Sequence, residues 1–110
     1  MASPIRITNL TVIAHGANWA ALQWTAPGDD GTAGLATWYD FRYAQFAITS
    51  DNFDAADHYE LPFFPHTAGQ GEGAMVVGLS SGVIYWFALK TSDEVPNWSD
   101  ASNSPSVTTE

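Results

Sequence analysis

Apolar residues recur at every second position in several short stretches, and turn-forming residues separate the stretches. That period of two predicts half-buried strands. In Trp19-Ala20-Ala21-Leu22-Gln23-Trp24 the inward set is Ala20, Leu22 and Trp24. In Trp38-Tyr39-Asp40-Phe41-Arg42-Tyr43 the inward set is Tyr39, Phe41 and Tyr43, leaving Trp38, Asp40 and Arg42 outward. Ala74 and Val76 face in on a later run, followed by Leu79, and Tyr85, Phe87 and Leu89 face in on the longest one. Ile7, Leu10 and Val12 suggest a first strand, and residues 106–109 a last. Turns are expected at Pro27-Gly28 with Asp30-Gly31, at Ser81-Gly82 and at Pro96-Asn97. Gly69, Gly71 and Gly73 read as a flexible connection. Residues 49–56 break the alternation: a capping residue, acids and two alanines predict one short helical turn.

Length and composition narrow the class. A chain of 110 residues suffices for one domain with a single core. Hydrophobic residues make up 45% and aromatics 14%, too many for a disordered segment. Twelve acids against three bases give a formal charge of −9, which opposes binding to nucleic acid or to an anionic membrane. Cysteine is absent, which removes disulfides, thiolate metal sites and a cysteine nucleophile together. No apolar run approaches the roughly 20 residues of a membrane helix. Residues 1–3 read as the start of a linker and residues 4–109 as one domain, a module of something longer.

The pieces also have a characteristic order. Ile7-Thr8-Asn9-Leu10-Thr11-Val12 comes first, then Trp24-Thr25-Ala26-Pro27-Gly28-Asp29-Asp30-Gly31. Tyr39-Asp40-Phe41-Arg42-Tyr43 follows, then Gly78-Leu79 ahead of Tyr85-Trp86-Phe87-Ala88-Leu89-Lys90. Asp93-Glu94, Asn97-Trp98-Ser99 and Ser102-Asn103 close the series. In this order and spacing the chain resembles the fibronectin type III family, in the variety found in secreted bacterial proteins. The resemblance implies an all-β, immunoglobulin-like sandwich of seven strands, with sheet A-B-E packed on sheet C′-C-F-G. It implies a core built on Leu22, Trp24, Tyr39, Phe41, Leu79, Tyr85 and Phe87. Tyr85 takes the tyrosine-corner position, its hydroxyl bonded to backbone near the E–F turn. It further implies a non-catalytic, extracellular module.

The residues themselves supply little chemistry. His15, His58 and His66 are scattered, and His58-Tyr59-Glu60 matches the H-x-E of zinc deaminases without the cysteines that motif requires. No nucleophile elbow, zincin helix or phosphate loop occurs. The expectation is no enzyme activity. Three surfaces remain. The B–C and F–G loops share one end of such a sandwich, which would gather Asp29 and Asp30 near Asp93, Glu94 and Asn97. Calcium takes six to eight oxygens, which this pole could supply in part. The reading preferred is no cofactor, with turn-forming and solvated acids. On the outer C–F face, Trp38, Arg42, Trp86 and Lys90 form either a cation–π ladder or an aromatic platform, with Trp38 near Lys90 and Arg42 near Trp86. On the outer A–B–E face, Trp19, Ala21, Met75 and Val77 make an apolar strip. That strip either docks on a neighbour or is hidden by Trp19 folding over Met75. Phe63-Phe64-Pro65 is similarly apolar.

The function expected is that of a spacer or accessory module in a secreted or cell-surface bacterial protein. Its partners would be neighbouring domains of the same chain. The alternatives are a polysaccharide- or protein-binding module using the outward aromatics, and a self-assembling subunit using the apolar strip.

Overall fold

The computed structural model describes residues 6–26, 38–59, 70–92 and 98–110, with Trp38 placed by its backbone. Among the described residues, seven strands form two antiparallel sheets. β1 (Thr11–His15), β2 (Trp19–Thr25) and β5 (Gly71–Val77) make a three-stranded sheet in the order β1-β2-β5. β4 (Asp57–Tyr59), β3 (Trp38–Ala44), β6 (Ile84–Ser92) and β7 (Ser106–Thr108) make a four-stranded sheet in the order β4-β3-β6-β7. This is the A-B-E on C′-C-F-G sandwich.

The core lies between the sheets because alternate side chains of each strand share one face. Ala20, Leu22, Trp24, Phe41, Val76, Leu79, Tyr85, Phe87 and Leu89 are buried there, with Ile7 and Leu10. Tyr39, Tyr43 and Tyr59 pack against them half-buried. Aromatic rings run through the layer: Trp24 stands edge-on to Tyr39 at 5.5 Å, and Phe41 lies 5.9 Å from Trp24 and 6.3 Å from Phe87. Such pairs contribute about 0.5–1.5 kcal/mol each beyond the area they bury.

The β5–β6 turn is locked from both sides. The Tyr85 hydroxyl accepts the Ser80 N–H at 2.9 Å. Thr109 Oγ1 accepts the Val83 N–H at 2.9 Å and donates to the Ser80 carbonyl at 2.6 Å. Gly78 and Gly82 hold φ of +79° and +68°, a left-handed backbone that glycine adopts without cost from a Cβ.

Two strands and the helical turn differ from the pattern-based expectation. β1 starts at Thr11, although Ile7 and Leu10 before it are buried. Asn103 holds that entry in place of a ladder: its Oδ1 accepts the Leu10 N–H and its Nδ2 donates to the Leu10 carbonyl, at 2.9 and 2.8 Å. β5 starts at Gly71, so Gly71 and Gly73 are strand residues and not a flexible connection. They stand opposite Thr25 and Gln23 in a ladder that continues to the Ala26 N–H bonded to the Gln70 carbonyl, and a backbone ladder needs no side chain, whereas period-two patterning registers only side chains. Residues 98–104 run beside β6 on serine bonds: Ser99 Oγ and Ser102 Oγ accept the N–H groups of Thr91 and Leu89, each at 3.0 Å. The helical turn is a 3-10 turn at Phe53–Ala55. Ahead of it, Asn52 Oδ1 accepts the Thr49 N–H at 2.7 Å, and no side chain caps the turn itself.

Asp29, Asp30, Asp93, Glu94 and Asn97 lie outside the described residues, as do Phe63, Phe64, Pro65 and His66.

Candidate functional site

The outer face of the four-stranded sheet is occupied by the protein's own chain. β3 and β6 set Trp38 opposite Ser92, Asp40 opposite Lys90, Arg42 opposite Ala88 and Ala44 opposite Trp86. The expected neighbours, Trp38 with Lys90 and Arg42 with Trp86, are thus diagonal and not facing positions. The ring that both cations cover is Phe53: Arg42 Cζ is 5.1 Å and Lys90 Nζ 4.7 Å from its centre. The cause is a pair of small outward residues. Ala44 and Ala88 leave room on the sheet, and Ile48, Phe53 and Ala56 settle there as a second buried cluster with Ala101, against which Trp86 packs half-buried.

Arg42 fastens this segment. Its Nε and Nη2 donate to the two Asp40 carboxylate oxygens at 3.0 and 3.1 Å, and its Nη1 donates to the carbonyls of Asp54 and Ala56. The bonded Asp40 carboxylate raises the Arg42 pKa above its ordinary value. His58 Nε2 stands 3.7 Å from the same Asp40 oxygen. Arg42, Lys90 and Trp86 are therefore engaged with residues 48–56. The signal for this was present: two alanines at outward strand positions, and two apolar residues, Ile48 and Phe53, in a connection with no room in the interior. Trp98, bridged to Ser92, remains 43% exposed.

The outer face of the three-stranded sheet is open. Trp19 pairs with Val77 and Ala21 with Met75. The Trp19 indole packs on Gly16, where a Cβ would overlap it. Met75 and Val77 are each 57% exposed, and Ile13, at a bulge in β1, is 55% exposed. Toward Gly71 and Gly73 the same face becomes a trough of about 580 Å³, lined by Asn9, Thr11, Gln23, Thr25 and Glu72 among others. Asn9 is already bonded to Thr25, its Nδ2 donating to Oγ1 at 2.8 Å and its Oδ1 accepting the Thr25 N–H at 3.0 Å.

Two polar residues missed by the pattern reading sit where the sheets meet. Glu72 occupies an inward position of β5 and is 4% exposed. The Tyr39 hydroxyl donates to its Oε2 at 2.8 Å. Burial pushes the Tyr39 pKa well above the usual phenol range; the Trp24 bond opposes this, and the Glu72 carboxylate adds to it. Tyr59, on β4, reaches across to β5, where its hydroxyl donates to the Met75 carbonyl at 3.1 Å and accepts the Val77 N–H at 3.2 Å. Among the described residues no group of three or more histidines or carboxylates could hold a metal ion.

No family profile and no curated protein matches the sequence. Solved structures do match. The sixth fibronectin type III domain of human fibronectin type III domain containing protein 3 is 17% identical with a TM-score of 0.67, over 99% of this chain and 88% of that one. A fibronectin type III domain of the same human protein is 18% identical with a TM-score of 0.62, over the same shares. The chicken CNTN1 FN1-FN3 domains are 16% identical with a TM-score of 0.64, over 97% of this chain and 33% of that one. At these identities the likeness is one of fold, and the fold is that of a fibronectin type III domain.

Proposed function

We propose that this chain is a non-catalytic spacer or accessory module of a larger secreted or cell-surface bacterial protein, with the neighbouring domains as its partners. The observation that carries the reading is the assignment of its polar side chains. Arg42, Asp40, Asn103, Thr109, Tyr59 and Tyr85 hold strands, turns and segments in place. None of them converges on a cleft beside a nucleophile or an acid–base pair. Domains of this fold are generally non-catalytic, and similar ones occur in longer chains: the titin A168-A170 fragment is 17% identical with a TM-score of 0.61, and this chain covers 33% of it.

Deleting residues 4–109 from the parent protein tests the reading. The expected result is an unchanged kcat/KM of the neighbouring domain on a small soluble substrate, with reduced solubility or reduced action on bulky substrates. Loss of the intrinsic activity would overturn it. So would saturable binding of a polysaccharide to the isolated module, abolished by Trp98→Ala.

A further inference from the structure

The chain has three basic residues, and two of them are committed. Arg42 and Lys90 both cover the Phe53 ring. The third, Arg6, makes no hydrogen bond or ion pair with any described residue. In a chain with twelve acids, a cation left without a carboxylate is the exception.

Arg6 lies at a seam. Residues 98–104 run between the entry to β1 and the start of the segment over the four-stranded sheet. On one side the Asn103 N–H donates to the Ile7 carbonyl at 3.3 Å, and on the other the Ala101 N–H donates to Ser50 Oγ at 3.0 Å. A cavity of about 290 Å³ opens along that seam, with Arg6, Thr49, Ser50 and Ser104 among its walls. Ile48 and Ala101, both buried, give it an apolar floor.

The polar groups left over in this cavity are of one kind. Ser50 Oγ accepts the Ala101 N–H, Ser104 Oγ the Ile48 N–H at 3.1 Å, and Thr49 Oγ1 the Asn52 N–H at 3.4 Å. Each hydroxyl serves a backbone donor and keeps its own proton for another partner. The acceptors beside them are already used: Asn103 Oδ1 by the Leu10 N–H, and Ser102 Oγ by the Leu89 N–H. No carboxylate lines the cavity; Asp51 and Asp100 flank it in sequence and are exposed. A guanidinium fork and three hydroxyl protons therefore face one space, all of them donors.

We propose that this cavity is a binding site for the carboxylate of a single acidic sugar ring, a uronate. The planar fork of Arg6 matches a carboxylate with two parallel hydrogen bonds. The hydroxyl protons suit the further oxygens that such a ring carries. The volume lies at the bottom of the roughly 300–1,000 Å³ range of small-molecule sites, room for one ring. Charge selects a monoanion: one cation balances one carboxylate, whereas the net charge of −9 repels a dianion or a polyanion more strongly. The site goes beyond the spacer role. Trp98 does not line it, so each reading can fail alone.

An exposed ion pair is weak, so Kd falls at about 1 mM to about 10 mM. The test is a titration of the 110-residue chain with glucuronate at neutral pH, followed by amide chemical shifts. The expected result is saturable shifts confined to Arg6, residues 48–50 and residues 101–104. Arg6→Gln should weaken binding at least about tenfold, and Arg6→Lys, which keeps the charge and loses the fork, several-fold. Both should leave the melting temperature unchanged, since Arg6 holds no described residue in place. Trp98→Ala should leave binding intact. Glucose, acetate and inorganic phosphate should each bind more weakly than glucuronate, and a short oligouronate no more tightly. Absence of saturation, shifts that persist in Arg6→Gln, or glucose binding as well as glucuronate overturns the site. Acetate as good as glucuronate overturns the sugar ring, phosphate better than glucuronate overturns the carboxylate, and affinity rising with oligouronate length overturns the single-ring site.

Discussion

Trp24 and Tyr85 sit in one core and hold it differently. Trp24 fills volume between the sheets at 3% exposure, and its ring meets Tyr39 and Phe41. Trp24→Ala should cost about 3–5 kcal/mol. Tyr85→Phe keeps the ring and removes only the acceptor of the Ser80 N–H, at a cost of about 1 kcal/mol. Denaturant melts of the two variants should separate in that order. Tyr39 adds a pH dependence whose sign follows from its raised pKa. Below pH about 10, the tyrosine is neutral folded and unfolded alike. Above it, the unfolded chain releases the proton while the buried phenol keeps it, so the unfolded state binds fewer protons and stability falls as pH rises. Melting temperatures followed from about pH 8 to about pH 11 should drop more steeply in the wild type than in Tyr39→Phe. Equal slopes would place the alkaline loss elsewhere.

Among the elements, the segment over the outer face of the four-stranded sheet is held most unusually. Phe53 is 1% exposed, between two cations and two alanines, yet it lies outside the main core. Phe53→Ala should cost about 3 kcal/mol, at the low end for a buried phenylalanine because a connection can partly collapse. Its signature is local: amide exchange over residues 48–56 should quicken several-fold while β2 and β5 keep their protection. Arg42→Gln should loosen the same amides more mildly, since it deletes the carboxylate fork but leaves Phe53 on its alanines. If both variants melt the whole sandwich without a local phase, the segment is part of the main cooperative unit.

At the scale of the whole molecule, net charge opposes stability. A net charge of −9 on 110 residues makes the compact state repel itself. Stability should therefore rise with ionic strength. Calcium and magnesium at equal millimolar concentration should raise the melting temperature by the same small amount, through screening at the acids that include Asp29, Asp30, Asp93 and Glu94. A large rise specific to calcium, removed by Asp29→Asn with Asp93→Asn, would instead identify a calcium site. Bound ligand at a hundredfold excess over Kd stabilises by about 2.7 kcal/mol, enough to tell the cases apart.

The strands and their inward faces were legible because the information is local: a period of two along one stretch states both that it is a strand and which side is buried. Leu22, Trp24, Phe41, Tyr85 and Phe87 could be placed in the core on that ground alone, while Leu79, out of step with the alternation, is placed by the family resemblance. What the sequence left open depends on atoms distant along the chain. Whether Arg42 meets Trp86 or Phe53 follows from the register of β3 on β6 and from the space above Ala44 and Ala88. Whether Gly71 and Gly73 are loop or strand depends on backbone partners in β2, which leave no trace in side-chain periodicity. The buried Glu72 becomes intelligible only beside Tyr39, thirty-three residues away in sequence. That Tyr59 reaches the backbone of β5 follows from sheet order, which leaves β5 last in its sheet. Local alternation selects elements and faces; pairing, register and edges arise from contacts between elements, and only the folded chain brings those together.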